Sequence, residues 1–227
     1  MGIFTATAND ASTLASAQYG STRWSTDAGA IQGTYGGTTK NQSNVGTIVF
    51  SGAGSELSGQ TITSIEFSIT CASAGSESSS KQLTFYKANY QTIPSGTQGS
   101  NQIGDRLGTL VGKFYNNTTS HTLSSTSNQD FFEALCEYLS AGNSALVLYN
   151  GEVAQSSSSH STNYARITSM TITVTYNDGS ETKTGTVWYG NDDSGFTECY
   201  VYRCNASGKW ELCSPYRCFG GSDWRLV

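Results

Sequence analysis

Ile167-Thr168-Ser169-Met170-Thr171-Ile172-Thr173-Val174-Thr175-Tyr176 decides the fold class. From Met170 onward every even position is apolar and every odd position is threonine. Side chains alternate across a strand, so this period of two buries one face and wets the other. The stretch Ile62 to Cys71 (ITSIEFSITC) alternates in the same way from Ile65. Shorter β-rich runs lie at Gly46–Phe50, Leu83–Tyr86, Leu107–Phe114 and Ala145–Tyr149, with polar breaks between them. About eight strands at this spacing predict an all-β domain over residues 1–176, an antiparallel, jelly-roll-like β-sandwich.

Composition agrees with that reading. Of 227 residues only 13% are charged, against about 25% in an average soluble protein. Ser and Thr fill roughly 60 positions, and there are 25 Gly but only 2 Pro. Strong helix formers are too scarce for a mostly helical chain, while Thr, Val, Ile, Tyr and Phe suit a pleated, half-buried surface. One short helix is expected over Ser127–Leu139 (SNQDFFEALCEYL). Ser127 or Asn128 is placed to cap it, Asp130 lies near its positive end, and Gly142 stops it. Phe131, Leu135 and Tyr138, with Phe132 and Leu139, form its apolar stripe, so it reads as a plug for one end of the sandwich. The loops 72–80, 94–104 and 151–163 are too polar for a core and read equally as binding loops or as mobile filler. Residues 177–185 (NDGSETKTG) lack any large apolar side chain and read as a linker.

Residues 186–227 repeat every 14 residues, three times. The third position is always aromatic (Trp188, Tyr202, Tyr216), and so is the eleventh (Phe196, Trp210, Trp224). A turn rich in Asn, Asp, Ser and Gly lies between them, which makes each repeat a β-hairpin. A lone hairpin is marginal in water, but chained hairpins can bury their rings against one another. The six aromatics therefore read in two ways, as the core of a small array or as a candidate platform that stacks on sugars or a cation.

Four of the six cysteines fall here, as Cys199-x4-Cys204-x8-Cys213-x4-Cys218. Three readings stand: disulfides stapling a domain too small to hold itself, a thiolate metal cluster without the usual C-x2-C spacing, or reduced thiols packed as small hydrophobes. Cys71 and Cys136 read as buried, unpaired filler.

The terminal units (YRCFGGSDWRLV and WYGNDDSGFTEC) resemble the aromatic hairpin repeats at the ends of bacteriophage virion proteins, notably tail-fibre, minor tail and head-fibre proteins of gut phages. The segment from Ser140 to Tyr176 is similar to the closing strands of the jelly-roll domain in such proteins. The resemblance implies a structural or host-contacting role on a virion, without enzymatic activity and without cofactors. The implied partners are other virion proteins and bacterial surface glycans, with a homotrimer as the favoured assembly. Cys204 and Cys218 depart from the aromatic or Gly residues usual at that position, which implies a stapled variant.

The remaining motifs are negative. The opening MGIFTATAND lacks a basic n-region and an apolar h-region, so no secretory signal is expected. Ala6 stands where the myristoylation pattern needs Ser or Thr. A virion protein made in the host cytoplasm and released by lysis fits both features. No apolar run approaches the roughly 18 to 20 residues of a membrane span. The net charge of −5, with 12 basic residues scattered, lacks the basic stripe of a nucleic-acid binder. His121 and His160 stand in no catalytic motif and are expected at the surface. Asp192-Asp193 reads as a turn rather than a Ca²⁺ site. Sequons at Asn41, Asn116, Asn117 and Asn205 would matter only in a eukaryotic secretory setting. The alternative function is a carbohydrate-binding module of a bacterial cell-surface or secreted glycan system. A weaker one is a depolymerase that uses paired carboxylates.

Overall fold

A computed structural model describes residues 1–37, 40–72, 82–151 and 164–177, together with the strand backbones between 187 and 226. The chain divides into two units, Met1–Gly179 and Ser180–Val227.

The first unit is all-β. Its strands are β1 (Gly2–Ala8), β2 (Leu14–Gln18), β3 (Trp24–Ser25), β4 (Ala30–Gly37), β5 (Lys40–Val49), β6 (Thr61–Cys71), β7 (Gln82–Ala88), β8 (Ile103–Val111), β9 (Asn117–Leu123), β10 (Ala145–Leu148) and β11 (Tyr164–Asn177). All their pairings are antiparallel. One layer runs β1-β11-β6-β9, and the other runs β5-β10-β7-β8, with β2 on the outer edge of β5 and β3 on β2. Strand β4 joins the layers, pairing β11 through Ala30–Gly33 and β5 through Gly33–Gly37.

With β2–β4 set aside, the first layer holds the first, eighth, third and sixth strands in chain order. The second holds the second, seventh, fourth and fifth. That is the strand order of a jelly roll. The expected sandwich forms, and β2–β4 are an addition between its first two strands.

The deciding stretch behaves as its alternation predicts. Met170, Ile172, Val174 and Tyr176 are buried, while Thr171, Thr173 and Thr175 line the outer face. Five strands escaped the sequence reading: β1 to β4 and β9. In β1 the inward side is small apart from Phe4 and the outward Ile3 is 70% exposed, so polarity does not mark the faces. In β9 the inward-facing positions include Asn117, Thr119 and His121, and a hydropathy pattern cannot see a polar interior. The predicted strand Leu107–Phe114 is displaced toward the N-terminus, as β8.

Helix α1 (Ala53–Glu56) is a single turn, and α2 spans Gln129–Ser140. Phe131, Phe132, Leu135, Tyr138 and Leu139 of α2 are buried, as the stripe predicts. Phe131 packs 5.3 Å from the Phe85 ring and 6.5 Å from that of Phe67, so one helical residue meets both layers. The Tyr138 hydroxyl donates to Ala145 O at 2.9 Å and accepts from Ala88 N–H at 3.1 Å, joining the helix to β7 and β10.

Gly142 ends the helix with φ 89° and donates its N–H to Leu139 O, as expected. The start of the helix differs from expectation. Asn128 is left-handed (φ 53°, ψ 47°) and its side chain makes no capping bond. The Ser127 hydroxyl turns back to Thr122 O at 3.3 Å. With Asn128 in that conformation neither side chain is used for the first amides.

A second, smaller core lies on the far side of the β5-β10-β7 layer. It gathers Val45, Val49, Ala88, Ala145, Val147 and Tyr149. The segment 89–102, which contains most of the loop read as exposed and polar, folds over this core. It is pinned by Gly99 N–H to Ser21 O at 2.9 Å and by a 3-10 turn over Gly99–Gln102. Most of the other two long loops, 73–80 and 152–163, lies outside the described residues, as does the linker from residue 178.

The second unit forms three separate two-stranded antiparallel sheets. They are β12 (Val187–Asn191) with β13 (Gly195–Cys199), β14 (Tyr202–Cys204) with β15 (Trp210–Leu212), and β16 (Tyr216–Phe219) with β17 (Asp223–Leu226).

Candidate functional site

Two places in the chain gather groups suited to binding. The first is the set of terminal hairpins. In all three, the third repeat position pairs with the thirteenth: Trp188 with Glu198, Tyr202 with Leu212, and Tyr216 with Leu226. The fifth pairs with the eleventh: Gly190 with Phe196, Cys204 with Trp210, and Cys218 with Trp224. Cross-strand partners share a face, and so do residues two apart along a strand. The third and eleventh positions therefore belong to one face of each hairpin. The six candidate aromatics fall into three pairs by register: Trp188 with Phe196, Tyr202 with Trp210, and Tyr216 with Trp224.

Cys199 stands opposite Val187, on the other face of its hairpin from Trp188. Cys204 and Cys218 stand directly opposite Trp210 and Trp224. Cys213, the Asp192-Asp193 turn and His160 lie outside the described residues.

The second place was not singled out by sequence. Strands β2 and β3 pair through Ser16–Ser25 and Ala17–Trp24, and a cleft of about 460 Å³ opens beside them. Its polar lining includes Ser16, Gln18, Ser21, Arg23 and Asn44 around Trp24. The Trp24 ring is held on two sides. Its Nε1–H donates to Thr97 O at 2.9 Å, and its edge meets the Tyr90 ring at 6.4 Å and 68°. Tyr90 is fixed in turn by a hydroxyl bond with Thr47, and burial pushes its phenol well above the usual range. The nearby Tyr19 ring is 39% exposed and stacks on Tyr149 at 5.4 Å.

A second cleft of about 270 Å³ is lined in part by the segment Thr26–Gly29. Asn9, Asp10, Asp27, Arg166 and Thr168 are among its lining residues, and Ala28 lines both clefts. Arg166 donates from Nε to Ala28 O at 2.7 Å. The Asp10 carboxylate accepts from the Ser12 hydroxyl at 2.7 Å, the Thr13 hydroxyl at 2.8 Å and Ser12 N–H at 2.9 Å. Those bonds, Ser12's first, hold its carboxyl below the usual carboxylate value.

Trp24 left one usable signal in the sequence. It is the only Trp before residue 188 and sits in a polar stretch, Gly20–Asp27, with no strand alternation to claim it for a core.

The remaining nucleophilic and titratable groups differ in setting. Cys71 and Cys136 are free thiols, buried and half-buried, as expected; loss of solvent pushes each up to about 12. His121, expected at the surface, is instead an inward-facing, half-buried residue of β9. Its ring packs 5.5 Å from that of Phe114.

Among the described residues, no helix is long and apolar enough to cross a membrane. Compared with known proteins, the chain matches no family model, and no curated protein is significantly similar to it.

Proposed function

We propose that the chain is a non-enzymatic structural protein of a bacteriophage particle, of the head-fibre, capsid-decorating or tail-associated kind. In this reading the jelly-roll unit assembles with other virion proteins as a homotrimer. The terminal hairpins are displayed outward and meet host surface glycans with their paired rings. The observation that carries the reading is the repeated register, which puts two ring-bearing positions on one face of every hairpin. A surface poor in charge and rich in hydroxyls supports it, because such a surface gathers little nucleic acid during assembly.

The test is to look for the protein in purified particles by mass spectrometry and to place it with gold-labelled antibody. Labelling at a fixed point on the head or tail is the expected result. Particles that lack the protein would overturn the reading.

A second reading is favoured by the cleft at Trp24: a carbohydrate-binding module of a bacterial cell-surface or secreted glycan system. Under that reading the same antibody labels cells rather than particles.

A further inference from the structure

The two clefts of the first unit hold complementary groups. The Trp24 ring is pre-set by its bond to Thr97 and its contact with Tyr90. A ring that is already fixed loses little conformational freedom when a flat ligand face stacks on it. Ser16, Gln18 and Ser21 line the cleft with uncharged hydrogen-bonding groups, and the exposed Arg23 adds a cation beside them.

The neighbouring cleft supplies a charge. Arg166 is half-buried, and its Nε is committed to Ala28 O. Among the described residues no carboxylate forms an ion pair with it. A guanidinium has five N–H donors, so the remaining ones are left to bind a planar anion in two-pronged fashion. Asp10, in the same cleft, is engaged by Ser12 and Thr13. Because Ala28 lines both clefts, they adjoin. Trp24 and Ala28 lie four residues apart along the chain, which is at most about 14 Å. A short oligosaccharide spans that distance.

We propose that these clefts form one site for an oligosaccharide containing a carboxylate sugar. A neutral ring stacks on Trp24, and the carboxylate of an adjoining uronic acid binds Arg166. Asp27 and Asp10 line the Arg166 cleft, and the chain carries a net charge of −5. Both features oppose any anion in proportion to its charge, so they weigh little on a single carboxylate held by Arg166 and heavily on a polyanion such as nucleic acid or a heavily sulfated polymer. The ligand is therefore one that bears its carboxylates singly among hydroxyls. This site lies in the jelly-roll unit, rests on the second reading given above, whose ligand class it names, and does not depend on the terminal rings.

The test uses the full chain on an array of bacterial capsular and O-antigen oligosaccharides, each uronic acid presented free and as its methyl ester. Binding to at least one free-acid glycan is expected. It should weaken roughly tenfold or more on esterification and in Arg166→Gln, the loss expected when a charged hydrogen-bond pair is removed. Trp24→Ala should weaken it comparably. Trp24→Phe, which keeps a ring, guards against a folding defect and should show a smaller loss. Equal binding of acid and ester, or no binding to any acidic glycan, would overturn the proposal. Binding that is lost in Trp210→Ala and Trp224→Ala but retained in the Trp24 and Arg166 variants would also overturn it, while leaving the displayed hairpins standing.

Discussion

His121 shows how much one inward-facing residue can decide. Its Nε2 is buried and has no hydrogen-bond partner among the described residues, and neither has the hydroxyl of Thr119 two residues earlier on the same side of β9. Loss of solvent lowers the His121 pKa from its usual value. An unfolded chain titrates this histidine near 6.5. Between that value and the lower folded one, the unfolded state binds more protons. The stability tied to neutral His121 is thus fully present above about pH 6.5 and is lost as pH falls through the lowered folded value. Urea unfolding at pH 7 and pH 5 should show a smaller midpoint at pH 5. In His121→Phe the part of that difference due to this residue should vanish. An unchanged pH dependence in the variant would refute the assignment. Sequence could not place His121, because a lone histidine in NTTSHTL carries no facing information until its partner strand is known. The register supplies it, by setting His121 opposite Phe67.

Among the elements, α2 packs closely on β8. A Cβ added at Gly108 of β8 would lie 2.2 Å from Cγ and 2.4 Å from Cβ of Phe131. Those atoms are the root of the side chain, so they cannot swing aside as a flexible tip would. Gly108→Ala should therefore push the helix off the layer and destabilise the unit by about 1–3 kcal/mol, the range for overpacking. Thermal unfolding of Gly108→Ala beside the parent checks this; an unchanged melting temperature would mean that the helix gives way at no cost. The helix itself was legible, since its stripe and its Gly142 stop are local signals. Its left-handed start at Asn128 was not, because Asn suits both a capping side chain and a positive φ. The clefts at Trp24 and Arg166 were equally hidden. Their residues come from β2 to β5, β11 and the connections around them, and of these strands only β5 and β11 were read from sequence.

At the scale of the whole molecule, the two units make a direct prediction. The first has its own two-layered core, centred on Phe50, Phe67, Phe85 and Phe131. A protein ending at Gly179 should unfold cooperatively, at a temperature within a few degrees of the corresponding transition in the full chain. Scanning calorimetry of both would show it; a broad, non-cooperative melt of residues 1–179 would mean that the unit needs the hairpins.

Sequence by itself determined the all-β class, the strands at Ile62–Cys71 and Ala165–Tyr176, the apolar face of α2 and the 14-residue period of the ending. Each of these is written in spacing along the chain, and spacing fixes which side chains share a face. Tertiary structure alone decided which strand lies beside which, the additional strands β2–β4, the inward turn of His121, and the placing of Trp24 and Arg166 in two clefts that share Ala28. Those depend on residues far apart in the chain, brought together by burial of apolar faces that have no preference for a particular neighbour until register and connection are set.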